Sequence, residues 1–393
     1  MSLADTLLKK IPQYTRNARH LRSVVQHGTP TKWANLAKVE YERMRRKVQV
    51  GSHPYLLIID PCNFCNLRCP LCPTGLNDLG REQSMLSFEH FKHHFEPHLP
   101  YLFETYLHNW GESLINKEVY KMIDHAQRHN VGTNLSSNLV IAQSDDLDNL
   151  LDSGLEYLVV SLDGATSESY LKYRIRGDFE RVVENMSELV RRRNARGMKT
   201  PVIEWQYIVM KTNEHEIPQA EAMAKKIGVD LIRFIPVGMP FEFKNRKEIA
   251  DQWFPTSVQG RVESDHSEQQ YGQANKPSPC FYLYRSMTVN PDGGVSPCCV
   301  VYRKNRDFAQ LDPAVPIDLP GLWNNEKFRS ARSLFSKETV DQRKPTVCDG
   351  CDIFERHPSK ALPRRPHPGE PIHIIRPGAT TAQAAPGSIE PTP

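Results

Sequence analysis

Six short apolar runs separated by helix-length segments are what most limits how this chain can fold. The runs are YLLIID (55–60), YLFETYLH (101–108), VGTNLS (131–136), EYLVVSLD (156–163), VIEWQYIVM (202–210) and DLIRFIPV (230–237). Between them lie segments of helical length at 86–97, 117–128, 144–152, 167–194 and 214–226. Strands joined through helices run parallel, with right-handed crossovers. The alternation therefore predicts an α/β domain with one parallel sheet, either doubly wound or curled into a barrel. With 393 residues, the chain has room for that domain and a smaller one.

The cysteines add a second constraint. There are nine, in two groups about two hundred residues apart. No run of 18 apolar residues is present and the N-terminus lacks the apolar centre of a signal peptide, so a cytoplasmic, reducing environment without a transmembrane segment is expected. Clustered cysteines in such a compartment point to metal rather than to a disulfide framework. The formal charge of +4 is too small to imply nucleic acid, and basic residues concentrate only near the N-terminus. Residues 1–50, with Arg16, Arg19, Arg22, Arg43 and Lys47, read as a basic, solvated helical extension. Residues 51–240 hold the strand–helix alternation, 241–276 a polar connection, 277–357 short elements around the second cysteine group, and 358–393 a Pro-rich disordered tail.

The first group reads PCNFCNLRCPLCPTG, with Cys62, Cys65, Cys69 and Cys72 directly after the first strand. A zinc ribbon separates its two C-x2-C knuckles by 15–20 residues, and only three separate these. A bacterial ferredoxin run, C-x2-C-x2-C-x3-C-P, has a different spacing. What remains is C-x3-C-x2-C from Cys65, Cys69 and Cys72, which resembles the signature of the radical S-adenosylmethionine (SAM) superfamily. The resemblance covers roughly residues 55–240 and implies a partial (βα)6, TIM-like barrel with its site at the carboxyl ends of the strands. It implies a 4Fe-4S cluster with one iron left open for SAM, and it gives Cys62 no part in holding that cluster.

Further segments resemble family elements at strand ends. Trp110, Gly111, Glu112 and Ser113 are similar to the Gly-Gly-Glu-Pro segment that receives the SAM amino group, with departures at Trp110 and Ser113, and Glu112 is the carried-over residue. Ser136, Ser137 and Asn138 resemble the polar turn that meets the SAM ribose or carboxylate, so Ser136 and Asn138 are candidates. Arg174 in YLKYRIRGDF resembles the arginine that pairs with the SAM carboxylate. Glu204 and Gln206 on the fifth strand face inward, either toward substrate or into structural hydrogen bonds.

In the second group Cys280, Cys298, Cys299, Cys348 and Cys351 give C-x12-G-x4-C followed by C-x2-C. Four thiolates at mixed spacing suit structural zinc as well as a cluster. The pattern resembles the SPASM extension of radical SAM enzymes, or its shortened twitch form, and implies a small C-terminal iron-sulfur domain. One auxiliary 4Fe-4S cluster on Cys280, Cys298, Cys348 and Cys351 is then expected, with Cys299 able to replace its neighbour. For the whole chain the resemblance implies reductive cleavage of SAM, hydrogen abstraction by the 5′-deoxyadenosyl radical, and net oxidation of a small polar, sugar-like alcohol. A maturase acting on a peptide or protein side chain is the alternative, and a non-catalytic metal-binding or electron-transfer protein a third. Reduced flavodoxin or ferredoxin is the expected electron donor.

Overall fold

Every expected strand forms, each with a helix-facing side that is largely apolar. The computed structural model describes residues 16–238, 243, 246–256, 279–338 and 343–351. Six strands, β1 (Leu56–Ile59), β2 (Glu104–Tyr106), β3 (Gly132–Ser137), β4 (Tyr157–Ser161), β5 (Val202–Val209) and β6 (Leu231–Pro236), pair in parallel and in sequence order. Helices α1 (Arg16–Gln26) and α2 (Pro30–Met44) precede them. The crossovers carry α3 (Phe88–Phe95), α4 (Val119–Arg128), α5 (Ser144–Asp152), α6 (Ser167–Tyr173), α7 (Phe179–Ala195) and α8 (Ile217–Ile227). Several ends are set by local chemistry: Thr166 and Asp178 cap α6 and α7 by accepting from Ser169 N and Arg181 N, and Gly228, at φ 83°, closes α8 in the left-handed region.

Alternation sorts each strand into two faces. Leu57, Ile59, Leu135, Leu158, Val160, Ile203, Trp205 and Tyr207 pack with the helices in one continuous core. The opposite, inner face carries most of the polar groups: the register sets Tyr106, Asn134 and Tyr157 level with one another, Ser136 and Glu204 one layer further on, and Glu104 opposite Gly132 one layer before. Glu204 does not wait for a ligand there. Its two carboxylate oxygens accept from the Tyr157 hydroxyl and from Arg233 Nε (2.6 Å), and Arg233 Nη2 reaches Gln206 Oε1 at 2.8 Å. The structural reading of both residues is the one seen.

Two features were not expected. Strand β7 (Ser286–Val289), from the region of the second cysteine group, pairs in parallel with β1, register Leu56↔Ser286 to Ile59↔Val289. An antiparallel ladder to β8 (Gly294–Ser296) and β9 (Ala309–Gln310) follows, and the full order is β6-β5-β4-β3-β2-β1-β7-β8-β9. The C-terminal region is thus a continuation of the barrel sheet. The second is α1. Rather than lying solvated, it covers the amino ends of β2–β4: Arg19 Nη2 donates to the Tyr106 hydroxyl at 3.0 Å with its guanidinium over the Tyr106 and Tyr157 rings, and His20 Nδ1 meets Glu104 Oε1 at 2.6 Å. The expected polar connection also differs, since residues 246–253 form helix α9 (Arg246–Trp253). The expected tail, 358–393, lies outside the described residues. No helix among the described residues is long and apolar enough to cross a membrane.

Candidate functional site

The loop that leaves β1 carries the first cysteine group and is fastened on every side by main-chain contacts. Cys72 N donates to Cys69 O (3.2 Å), Leu76 N to Cys72 O (2.9 Å), Arg68 N to Ile175 O (2.9 Å) and Glu112 N to Phe64 O (3.0 Å). Gly111 lies so near that a side chain there would run into the Cys62 carbonyl. Cys62 itself is fully buried and its thiol donates to the Glu112 carbonyl at 3.1 Å. It is a packing residue of this junction.

Cys65, Cys69 and Cys72 share a small apolar neighbourhood, apart from the main core, with Leu67, Leu71, Tyr173, Met210, Val237 and Trp253 of α9. Burial pushes the Cys65 thiol up to about 12, with the Glu112 carboxylate adding to the effect. It pushes Cys69 up to about 11, although the Arg174 guanidinium beside it pulls the other way. Thiols held so high are protonated unless a cation draws them to thiolate. Donors to sulfur are in place: Leu67 N reaches Cys65 Sγ at 3.3 Å, Asn138 Nδ2 approaches it at 3.8 Å, and Arg174 hydrogen-bonds Cys69. Such N–H contacts, with burial, are how proteins tune an iron-sulfur cluster, so these residues fit the group.

The residues expected around SAM meet at this loop, each tied in its own way. Arg174 follows α6 and is anchored by Asp163, whose Oδ2 accepts Nε at 2.6 Å. Asp163 is fully buried, and its Oδ1 accepts from Ile208 N at 2.7 Å. Asp163 is one of the SLDG residues that close the fourth strand in the sequence, but its pairing with Arg174 was not evident there. Asn138 Nδ2 bonds Asn66 Oδ1 at 3.0 Å, inside the cysteine loop. Ser136 stands on the inner face with its hydroxyl 3.4 Å from that of Ser161. Glu112 is sunk below them: it accepts from Ser137 Oγ (2.7 Å), Asn138 N (2.8 Å) and Leu114 N (3.2 Å), and burial raises its carboxyl above the usual range. Its carboxylate clamps the turn after β3 onto the segment after β2.

In the second group, Cys280 precedes helix α10 (Tyr282–Arg285), Cys298 and Cys299 follow β8, and Cys348 and Cys351 lie on a 3-10 turn and just after it. Burial raises Cys280 to about 12 and Cys298 and Cys348 further, and Cys280, Cys298, Cys348 and Cys351 interact electrostatically with one another. N–H groups of Tyr282 and Leu283 point at Cys280, and the Thr346 side chain bonds Cys348. Among the described residues no three Cys, His, Asp or Glu side chains close up as a single metal ion requires. Buried thiols that act on one another and receive N–H groups suit an iron-sulfur cluster.

The two groups are joined by a residue the sequence did not reveal. Arg81, from the loop after Cys72, is buried in an ion-pair network with Asp307 (Nη2–Oδ1, 2.5 Å) and Asp292 (Nη1–Oδ1, 3.1 Å), and its Nε donates to Tyr302 O at 2.7 Å. All three partners belong to the C-terminal region. Gly293, at φ 79°, makes the turn that presents Asp292 to Arg81.

Comparison with known proteins agrees with this layout. Residues 59–203 match the family model of the radical SAM superfamily, and residues 280–352 match that of SPASM, an iron-sulfur cluster-binding domain. Among curated proteins the chain is similar to the PqqA peptide cyclase of Bradyrhizobium diazoefficiens, 23% identical over 289 residues, 65% of this chain and 70% of that protein. It is similar also to the PqqA peptide cyclase of Gluconobacter oxydans, 23% identical over 325 residues, 78% of this chain and 84% of that protein. Among solved structures, Streptococcus suis SuiB bound to S-adenosylmethionine shares the fold, with TM-score 0.57 at 14% identity over 87% of this chain and 78% of that one. The first cysteine group falls inside the radical SAM match and the second inside the SPASM match, so this chain carries a radical SAM domain followed by a C-terminal SPASM domain.

Proposed function

We propose that the protein is a radical SAM maturase that abstracts hydrogen from a side chain of a peptide or protein and leaves it oxidised. The observation that carries the reading is the pairing, on one sheet, of an open three-thiol loop with a four-thiol group. This pairing occurs in a chain whose curated relatives include peptide cyclases. It also speaks against a plain electron carrier, which closes its cluster with four protein thiolates. The sugar-like alcohol favoured by the sequence gives way here. What favours the peptide is the two curated relatives above, both named as peptide cyclases.

When bound, the reduced 4Fe-4S cluster and SAM supply the 5′-deoxyadenosyl radical. The chain's own work is positional. Cys65, Cys69 and Cys72 would hold that cluster and would leave it a position for the methionine end of SAM, while Trp253, Tyr173 and Met210 exclude water behind them. Arg174, oriented by Asp163, sets its guanidinium where both a cluster sulfur and the SAM carboxylate can use it. Asn138 and Ser136 line the same mouth, and Glu112 holds their turn in place. Cys280, Cys298, Cys348 and Cys351 would hold the auxiliary cluster, and reduced flavodoxin or ferredoxin in the cytoplasm would supply the first electron. The test is anaerobic reconstitution with SAM and dithionite, followed by 5′-deoxyadenosine assay with and without a peptide fraction from the producing cells. Peptides should stimulate turnover and lose two hydrogens by mass spectrometry. Stimulation by sugar alcohols and not by peptides would reverse the substrate assignment.

A further inference from the structure

Asn109 and Trp110 stand between the two cysteine groups. On one side Thr74, two residues past Cys72, donates through Oγ1 to the Trp110 carbonyl at 2.7 Å, and Trp110 N donates to Asp60 Oδ2 at 2.9 Å. On the other side the Trp110 ring meets the Tyr302 ring edge-on, centroids 5.4 Å apart. The Asn109 amide, oriented to satisfy both neighbours, donates to the Cys299 carbonyl at 3.1 Å and accepts from Trp110 Nε1 at 3.3 Å. Tyr302 is fully buried, three residues from Cys299. An aromatic pair at a junction is often packing alone. This one lies at a position where the family segment carries glycine, and it closes an unbroken series of contacts from the Cys72 loop to the Cys299 carbonyl.

We propose that Trp110, with Tyr302, is the electron contact between the two cysteine groups. The proposal rests on the two-cluster reading above. Electron transfer falls off steeply across empty space and more slowly through packed and hydrogen-bonded groups, and beside the Arg81 ion pairs this is an aromatic route between the two loops. In one direction the substrate's surplus electron leaves for the auxiliary site, its proton going to water. In the other, one electron leaves the reduced auxiliary cluster and is taken up at the first. There it breaks one sulfur–carbon bond of SAM, releasing methionine, while the adenosyl radical takes a hydrogen atom from a C–H bond of added glycerol, leaving a glycerol radical.

The second direction gives a test that needs no substrate. Holoenzyme with both clusters reduced is freed of reductant, mixed with excess SAM and glycerol and freeze-quenched, and methionine and the EPR signal of the auxiliary cluster are followed. In the wild type a second methionine per chain should appear as that signal decays. In Tyr302→Leu the iron content and the first methionine burst should stay as they are. The decay should slow about tenfold or more, equivalent to about 1.4 kcal/mol in barrier. Trp110→Leu, read as the decay relative to its own first burst, should match it, and Trp110→Phe should recover most of the rate. Equal decay in wild type and both leucine variants, or a wild-type signal that persists in SAM, would overturn the contact. Wild-type iron near four per chain with no second signal would instead remove the two-cluster reading, since about eight is expected of two 4Fe-4S clusters.

Discussion

Asp60, the last residue before the cysteine loop, is completely buried, and that burial pushes its carboxyl up from 3.8 to about 7. The N–H groups of Trp110, Gly111 and Asn109 and the charge of Arg81 pull the other way and lose. A carboxyl raised on folding contributes stability while it is protonated and forfeits it as pH climbs through the folded-state value. Asp60→Asn keeps an oxygen for Trp110 N and cannot ionise. Its melting temperature, measured anaerobically, should exceed that of the wild type by a margin that widens as pH rises from about 5 to about 7 and then levels off. A margin independent of pH would mean that Asp60 does not titrate there. At this scale the sequence was readable where spacing carries meaning, as in Cys65, Cys69 and Cys72. It was silent on the burial of Asp60 and Asp163, because an aspartate on its way to burial looks the same in a sequence as one on its way to water.

Helix α1 shows how an element can be identified while its job is missed. Its basic residues read as a solvated face, and Arg22 is in fact half-buried and Leu21 exposed, yet Arg19 turns inward to close the lower end of the barrel. Two aromatic rings and a tyrosine hydroxyl receive that one guanidinium, and a helical wheel alone does not reveal such a receptor. Replacing Arg19 by Ala should destabilise the fold by about 2–4 kcal/mol, from two cation–π contacts and one charged hydrogen bond. Hydrogen exchange should quicken at the amino ends of β2, β3 and β4. Urea unfolding with an unchanged slope is the measurement, and a loss below about 0.5 kcal/mol would return α1 to the surface role first assigned to it.

For the whole molecule, the alternation of strands and helices made the barrel legible, but its seventh parallel strand was hidden. SMTV is only four residues long, too short for periodicity to register, and its partner lies at the other end of the chain. The two cysteine groups are nonetheless separable in chemistry. Cys348→Ala with Cys351→Ala should lower iron from about eight to about four per chain while SAM is still cleaved to 5′-deoxyadenosine, with oxidised product lost. Iron that stays near eight would place the auxiliary cluster on other ligands. The β1–β7 pairing has one more consequence, for biogenesis. β1 is made early, and the strand that flanks it emerges from the ribosome only after more than two hundred further residues. Contacts so distant along the chain close late and slowly. The strand feeding the Cys65 loop stays an unpaired edge on that side through most of synthesis. Cluster delivery is therefore expected to wait for β7, and a carrier that loads iron and sulfide should meet a chain from which that strand has already emerged.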